Sequence, residues 1–453
     1  MLYRKVKHDI EKWLQNSKDA LLITGARQVG KSYIVRETLK ENNVDYVEFN
    51  FIKQKKLIKL FESAIEEDFN KFMIALNVAA GRSLDNNTVI FFDEIQECKE
   101  VVTIIKFLVE HGRYKYILSG SLLGVELTNL RSAPVGYMRT IDMYPLDLEE
   151  FLIANGLSKS VFDMLKESFI KETPIDSFVH ESLIDAFYKY LIVGGMPEAV
   201  QVFLNTGDLN EVKKVHNKIS REYKKDFTKY ENEKKLKLIN TYNLIPSELN
   251  MKNKRYTFTN LDKELHFDRY ENSFNWLVDA GVALPVYNVT EYAIPLEASK
   301  KSNLFKLFVS DVGMLTSSYG SATIVKLLEK GNDINCGAMF ENAIAQELKA
   351  HGFNLYYFNN KKHGEVDFVI EYDNSLLPLE IKSGKDYQKH SALSYFVSTN
   401  SFDKAIVLSN YNVGKKDNII YLPIYMIMFL NNHFEIQQKV KIDLSNIGKR
   451  DKK

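Results

Sequence analysis

The sequence predicts an α/β protein in three parts: a parallel sheet wound with helices, a mostly helical middle, and a second α/β part. Three observations predict it. Near-continuous apolar runs alternate with helical stretches over residues 1–150. A glycine-bearing loop, "GARQVGKS" (25–32), joins one such run to a helix. Far downstream, "GEVDFVIEYDNSLLPLEIKSGK" (364–385) reads as two strands about a tight turn, carrying an Asp and a Glu-x-Lys.

The first part has apolar runs "ALLITG" (20–25), "YVEFNF" (46–51), "TVIFFDE" (88–94) and "YKYILSGS" (114–121). They end for the most part in small or acidic residues. Strands buried on both faces of a parallel sheet read this way. Helical stretches between them imply βαβ units with right-handed crossovers.

The loop fits G-x-x-x-x-G-K-[ST] between an apolar run and the helix-prone "YIVRETLKE", the context a phosphate-binding loop requires. Gly25 and Gly30 let the backbone approach phosphate oxygens. The N–H groups of Gly25, Ala26, Arg27, Gln28, Val29, Gly30, Lys31 and Ser32, with the helix N-terminus behind them, suit β- and γ-phosphate charge. Lys31 is expected to bridge those phosphates and Ser32 to ligate Mg²⁺, so ATP and Mg²⁺ are the expected cofactors. In "TVIFFDEIQ" (88–96), Asp93 at a strand end is expected to hold the Mg²⁺ shell, and Glu94 to orient and deprotonate water. Ser119 ends another apolar strand and is a candidate sensor of the γ-phosphate or the lytic water. Arg131 and Arg139 are candidate arginine fingers, the residue a neighbour supplies in a homo-oligomeric ring.

The middle is helical by pattern. "SFNWLVDAGVALPVYNV" (273–289) reads as a helix stopped near Gly281 and then a strand, and "NLFKLFVSDVGML" (303–315) as a strand and a helix start. Helix, turn, helix, then strands is the order of a winged helix. A helix, "GAMFENAIAQELKAHG" (337–352), opens the strand-rich end.

"GARQVGKS", "FFDEIQ", "LSGS", "PVGYMRTIDMYPLDLEEFL" (134–152) and "YLIVGGMPEAV" (190–200) resemble the prokaryotic AAA-type (AAA_14) ATPases that carry a C-terminal domain of unknown function, DUF4143. "YKKDFTKY" (223–230), "IPSELNMKNKRYTF" (245–258), "WLVDAGV" (276–282), "FKLFVSDVGML" (305–315) and "FENAIAQEL" (340–348) extend the resemblance over nearly the whole chain. It implies an AAA-like P-loop ATPase domain (1–165), a helical and winged-helix-like domain (166–330) and a restriction-endonuclease-like domain of the PD-(D/E)xK type (331–453). It implies no substrate.

Endonuclease-like sites of that type place an Asp and a Glu-x-Lys on adjacent strands, where carboxylates hold Mg²⁺. The geometry can be counted here. If Asp373 and Asn374 form a two-residue hairpin loop, Tyr372 pairs with Ser375 and Asp367 falls opposite Glu380. Glu380 and Lys382 share a face because strand side chains alternate. A one-residue slip would separate the three. The resemblance also carries a helical acid, Glu341, into the expected metal set of Asp367, Glu380 and Glu341. Val366 stands where Pro commonly precedes the Asp. Lys361 and His363 read as solvated loop residues.

Composition constrains the rest. The 453 residues are 45% hydrophobic and 26% charged, with a formal net charge of +1. No global field advertises nucleic acid or a membrane, so any basic face is local. Cys98 and Cys336 fit no zinc spacing and suit a reducing compartment. The N-terminus lacks a signal peptide's apolar core, and "IIYLPIYMIMFL" (419–430) is too short to span a bilayer and reads as buried strand. A cytoplasmic location follows by default. The leading expectation is an ATPase whose hydrolysis cycle repositions its C-terminal domains on DNA. The alternatives are a nucleotide-regulated nuclease and a nucleotide-gated binding module.

Overall fold

A computed structural model describes residues 2–63, 68–121, 136–227, 232–251, 254–257, 271–330, 335–360, 364–400, 402 and 404–432. The first sheet has five strands, β1 (Ala20–Thr24), β2 (Tyr46–Asn50), β3 (Val89–Asp93), β4 (Lys115–Ser119) and β5 (Met138–Asp142). Their order is β2–β3–β4–β1–β5, and every pair is parallel. β1 to β4 fall on the four apolar runs. β5 has no counterpart among the expected strands. Its side chains are largely exposed and it pairs only with β1, so no apolar run marks it.

Alternation along the inner strands supplies two cores. Ile90 and Phe92 pack with α3 (Lys56–Ser63), α4 (Phe69–Ala79) and α5 (Glu100–His111). Val89 and Phe91 point the other way, into a core shared with α1 (Val6–Asn16) and α2 (Lys31–Glu41). Each such burial contributes about 2 kcal/mol before chain entropy is charged against it.

The middle runs α6 (Leu148–Ala154), α7 (Lys159–Lys171), α8 (Ser177–Val193), α9 (Pro197–Thr206), α10 (Leu209–Asp226), α11 (Asn232–Asn250) and α12 (Glu271–Asp279). These helices extend the second core without a break, through Phe187, Leu191, Ile219 and Leu277. Then come β6 (Ala283–Val289) and β7 (Lys300–Val309), an antiparallel pair, followed by α13 (Val312–Ser318), α14 (Ser321–Leu328) and α15 (Gly337–Ala350).

The last strands are β8 (Tyr356–Asn360), β9 (Gly364–Tyr372), β10 (Ser375–Lys382), β11 (Ala405–Ser409), β12 (Gly414–Lys416) and β13 (Ile419–Pro423), with α16 (Ser391–Asn400) between β10 and β11. They form one mixed eight-stranded sheet with β6 and β7, ordered β12–β13–β11–β10–β9–β8–β6–β7. β6 pairs in parallel with β8. The boundary expected at residue 330 therefore falls between strands of a single sheet.

The run 419–430 differs from its reading as one strand. It is strand only to Pro423, and Ile424–Phe429 form a 3₁₀ helix. Proline fixes φ and removes a ladder donor, which ends the pairing there. Among the described residues no helix is long and apolar enough to cross a membrane.

Candidate functional site

The first candidate site lies along one row of the first sheet. Asn50, Asp93 and Ser119 are register partners across β2, β3 and β4, and Ser119 is level with Ile23 of β1. The row sits at the strands' carboxyl ends, where open α/β sheets take their ligands. The loop between β1 and α2 closes over it. Gly25 has φ +135°, and a Cβ there would stand 2.1 Å from the Met143 carbonyl oxygen. No side chain fits. Gln28 and Gly30 also have positive φ, and Gly30 caps α2 in the left-handed region.

Lys31 donates to the carbonyls of Gly25 (2.9 Å) and Ala26 (2.7 Å) and is buried. Burial pushes its pKa down to about 8, against the opposing pull of Glu94 and Asp93. Ser32 Oγ donates to Asp93 Oδ1 at 2.6 Å, and Ser119 Oγ donates to the same oxygen at 2.5 Å. Asp93 Oδ2 accepts from Asn50 Nδ2 at 2.8 Å and pairs with Arg36 at 3.4 Å. Arg36 is one helical turn beyond Ser32 and makes a two-pronged contact with Glu48 of β2. Glu94 follows at φ +60°, an uncommon conformation for a non-glycine residue, and accepts from Gln96 Nε2. Serine and carboxylate oxygens are the donors Mg²⁺ prefers, so Ser32 and Asp93 fit that ion.

The helical middle touches this loop directly. Arg27 pairs with Asp226 of α10 at 2.6 Å, and Tyr223 of α10 donates to the Arg27 carbonyl. A Cβ on Gly281 would lie 3.2 Å from the Ala26 nitrogen. A cavity of about 260 Å³ opens beside Val29 and Gly30, lined by Leu2, Arg4, Tyr33, Met143, Pro197 and Gln201 among others. Another, about 350 Å³, adjoins Gly25 and Ala26. Arg139 lies mid-β5, exposed and level with Leu21. Arg131, Lys361 and His363 fall outside the described residues.

The second candidate site is the hairpin of β9 and β10. Asp373 and Asn374 both have positive φ, the backbone of a two-residue primed turn. Tyr372 pairs with Ser375, and the ladder runs regularly to Phe368 and Leu379. Continued one step, that register would set Asp367 opposite Glu380. β11 begins its pairing with β10 at Leu379, so Pro378, which has no N–H to give, lies just outside that ladder. Asp367 Oδ2 accepts from the Ile381 N–H at 2.9 Å, and Lys382 Nζ bonds Glu380 Oε1 at 2.8 Å. Glu341 of α15 faces the same cluster.

Sequence reasoning missed two lysines and a glutamate here. Lys306 of β7 is 1% exposed and stands 2.5 Å from Glu365, 3.5 Å from Glu341 and 3.9 Å from Asp367. Lys254 pairs with Glu341. A lysine set inside "NLFKLFV" was the available signal, since a buried charge needs a partner. Burial raises the Asp367 carboxyl's pKa, and Glu341 and Glu380 push it further, against Lys306 and Lys254. Burial would lower the Lys306 ammonium's pKa, but Glu341, Glu365 and Asp367 outweigh it and hold it raised. Among the described residues no three Asp, Glu, His or Cys side chains are arranged to hold a metal ion. As the side chains stand, the hairpin cluster does not fit Mg²⁺.

Three family models match the sequence: an AAA domain over residues 17–152, the domain of unknown function DUF8612 over 184–322, and the domain of unknown function DUF4143 over 336–427. The chain carries an AAA domain of the P-loop type and, C-terminal to it, a DUF4143 domain. The AAA domain holds the whole first sheet, and the DUF8612 match takes in β6 and β7 with most of the helical middle. No curated protein matches the chain. Among solved structures, the Walker-type ATPase Paby2304 of Pyrococcus abyssi is similar at 16% identity, covering 71% of this chain and 96% of its own, with a TM-score of 0.44. AMPPCP-bound DnaA from Aquifex aeolicus is similar at 12% identity, covering 60% and 84%, with a TM-score of 0.30. The assignment rests on the family models, and these distant likenesses add nothing to it.

Proposed function

We propose that this ATPase binds ATP with Mg²⁺ at Gly25–Ser32 and couples hydrolysis to movement of its C-terminal parts on DNA. One observation carries the reading: the Ser32 hydroxyl and the Asp93 carboxylate meet at 2.6 Å at the head of α2, with Glu94 next in the chain. The loop N–H groups and the α2 N-terminus bind the β- and γ-phosphates. Lys31 exchanges its carbonyl partners for phosphate oxygens and brings its charge to them. Ser32 and Asp93 hold Mg²⁺, which when bound neutralises phosphate charge. Ser119, Asn50 and Arg36 position Asp93. Glu94 orients the attacking water and takes its proton.

The adenine ring goes to the cavity beside Val29 and Gly30. That cavity adjoins the end of the loop that leads into α2, and Tyr33 offers a ring for stacking. Arg27–Asp226 and the Gly281–Ala26 approach support coupling, because loop movement on hydrolysis would be felt by α10 and α12. Lys31→Ala is expected to abolish ATP turnover by the purified protein. Glu94→Gln is expected to lower turnover by about 10²–10⁴-fold while nucleotide still binds. Turnover at the wild-type rate in either variant overturns the reading.

A second reading, a nucleotide-regulated DNA nuclease, is favoured by the nearness of the Asp367, Glu380 and Lys382 charges, and it needs those side chains to rearrange before a metal fits. Nicking of supercoiled plasmid with Mg²⁺ or Mn²⁺ that Asp367→Ala abolishes would support it. Plasmid left intact under both ions, with and without ATP, would sink it.

A further inference from the structure

The hairpin cluster gathers four carboxylates, Glu341, Glu365, Asp367 and Glu380, around three ammonium groups, Lys254, Lys306 and Lys382. Lys254 and Lys382 each sit beside one of those acids. Lys306 alone reaches three. It enters from β7, on a strand where Phe305, Leu307 and Phe308 are buried too, and its ammonium also lies 5.1 Å from the centre of the Tyr357 ring. Two carboxylate oxygens here, Glu341 Oε2 and Glu380 Oε2, are buried without a hydrogen-bond partner among the described residues. Both side chains are more than nine-tenths buried, Glu341 at 4% and Glu380 at 6% exposure. Buried carboxylate oxygens left this way are costly, and a nearby positive charge is one way to relieve them.

We propose that the Lys306 ammonium takes the place of a divalent cation between Glu341 and Asp367, and so acts as a built-in competitor for metal at this cluster. Two features support this. Lys306 Nζ is anchored by Glu365 at 2.5 Å and stands at the longer ion-pair distances of 3.5 Å from Glu341 and 3.9 Å from Asp367, a charge placed toward both acids without bonding tightly to either. Its chain also comes from β7, at the far edge of the sheet from β10, so the cation arrives with the β6–β7 pair and not with the hairpin that carries the acids. Holding Lys306 there closes the cluster to divalent ions. Glu365, only partly buried and 2.5 Å from Lys306, anchors the ammonium from the outer side of the cluster. This inference rests on reading the cluster as a cation site and does not require that DNA is cut; Asp367-dependent cutting by the wild type without nucleotide would count against it.

The test uses the full chain without nucleotide and Mn²⁺ as the probe. The wild-type melting temperature is expected to be unmoved by millimolar Mn²⁺. Lys306→Met is expected to melt lower without Mn²⁺ and to regain about 4 °C with it. The Lys306→Met/Asp367→Asn double variant is expected to lose that gain. A wild-type response as large as that of Lys306→Met overturns the proposal, and so does the lack of a response in Lys306→Met. Mn²⁺ binding to the wild type followed by electron paramagnetic resonance decides the matter even if Lys306→Met does not fold. A micromolar site that Asp367→Asn removes overturns the proposal, and no Asp367-dependent site below millimolar Mn²⁺ supports it. Metal gained by Lys306→Met without plasmid nicking would sink the nuclease reading and leave this one standing.

Discussion

Lys31 carries its charge in a place that disfavours charge. Burial holds its pKa down to about 8, more than Glu94 and Asp93 can offset. The phosphate-binding form is the protonated one. Below pH 8 that form dominates before nucleotide arrives, and above it binding must also take up a proton. Nucleotide affinity is therefore expected to fall about tenfold between pH 7 and pH 9. Titration calorimetry with wild type and Lys31→Arg checks this, since arginine stays charged throughout. An equal slope in Lys31→Arg would remove Lys31 as the cause. At this scale the sequence was legible where a residue ends an apolar strand: Asp93 and Ser119 fall at register positions beside the loop. Asn50 and Arg36 were not, because each acquires its meaning from a neighbouring strand or helix. Lys306 was hidden in the same way, for its three carboxylates come from α15 and β9.

Elements joined by local chemistry read well, and elements joined by distant pairing did not. The Asp373–Asn374 turn fixed the register of β9 and β10 because both residues tolerate positive φ. β5 gave no signal, being an exposed edge, and the joining of β6–β7 to β8 depends on a partner about 70 residues away in the chain. The "GGMP" stretch is a further case. Gly195 donates its N–H to Asp311, the cap of α13, while its carbonyl accepts from Leu146. A Cβ on Gly195 would stand 2.0 Å from the Leu146 carbonyl oxygen, against backbone that cannot swing aside. Gly195→Ala is expected to cost about 3 kcal/mol, seen as a lowered urea midpoint. Gly384→Ala, where a Cβ meets nothing within 4 Å, is the control expected to be near neutral. Equal midpoints for the two would show that the α8–α9 junction gives way more easily than this contact implies.

Across the whole molecule, one buried polar network joins the phosphate loop to the DUF4143 helix α15. Arg4 donates to the carbonyls of Val29 and Tyr144 and pairs with Glu150. Glu150 and Asp147 form the capping box of α6, and Lys5 and His351 of the chain beyond α15 pair with Asp147. Glu347 of α15 accepts from the Leu148 N–H and from Tyr190 of α8, both at 2.8 Å. Burial raises Glu150 and Glu347 to about 7, with Arg4 opposing the first and Asp147 reinforcing the second. Peeling the DUF4143 domain from the AAA domain would strip partners from these buried groups and expose the core they share. Breaking one such buried pair costs about 3–5 kcal/mol, so the parts should not unfold separately. A single calorimetric transition is expected for the full chain. A non-hydrolysable ATP analogue with Mg²⁺ should raise that whole transition, although it binds only at the AAA end. Two transitions, with nucleotide moving only the first, would mean that the network joins surfaces without coupling their stability. The α15 helix could then not carry the state of the phosphate loop to Glu341 and the acidic cluster.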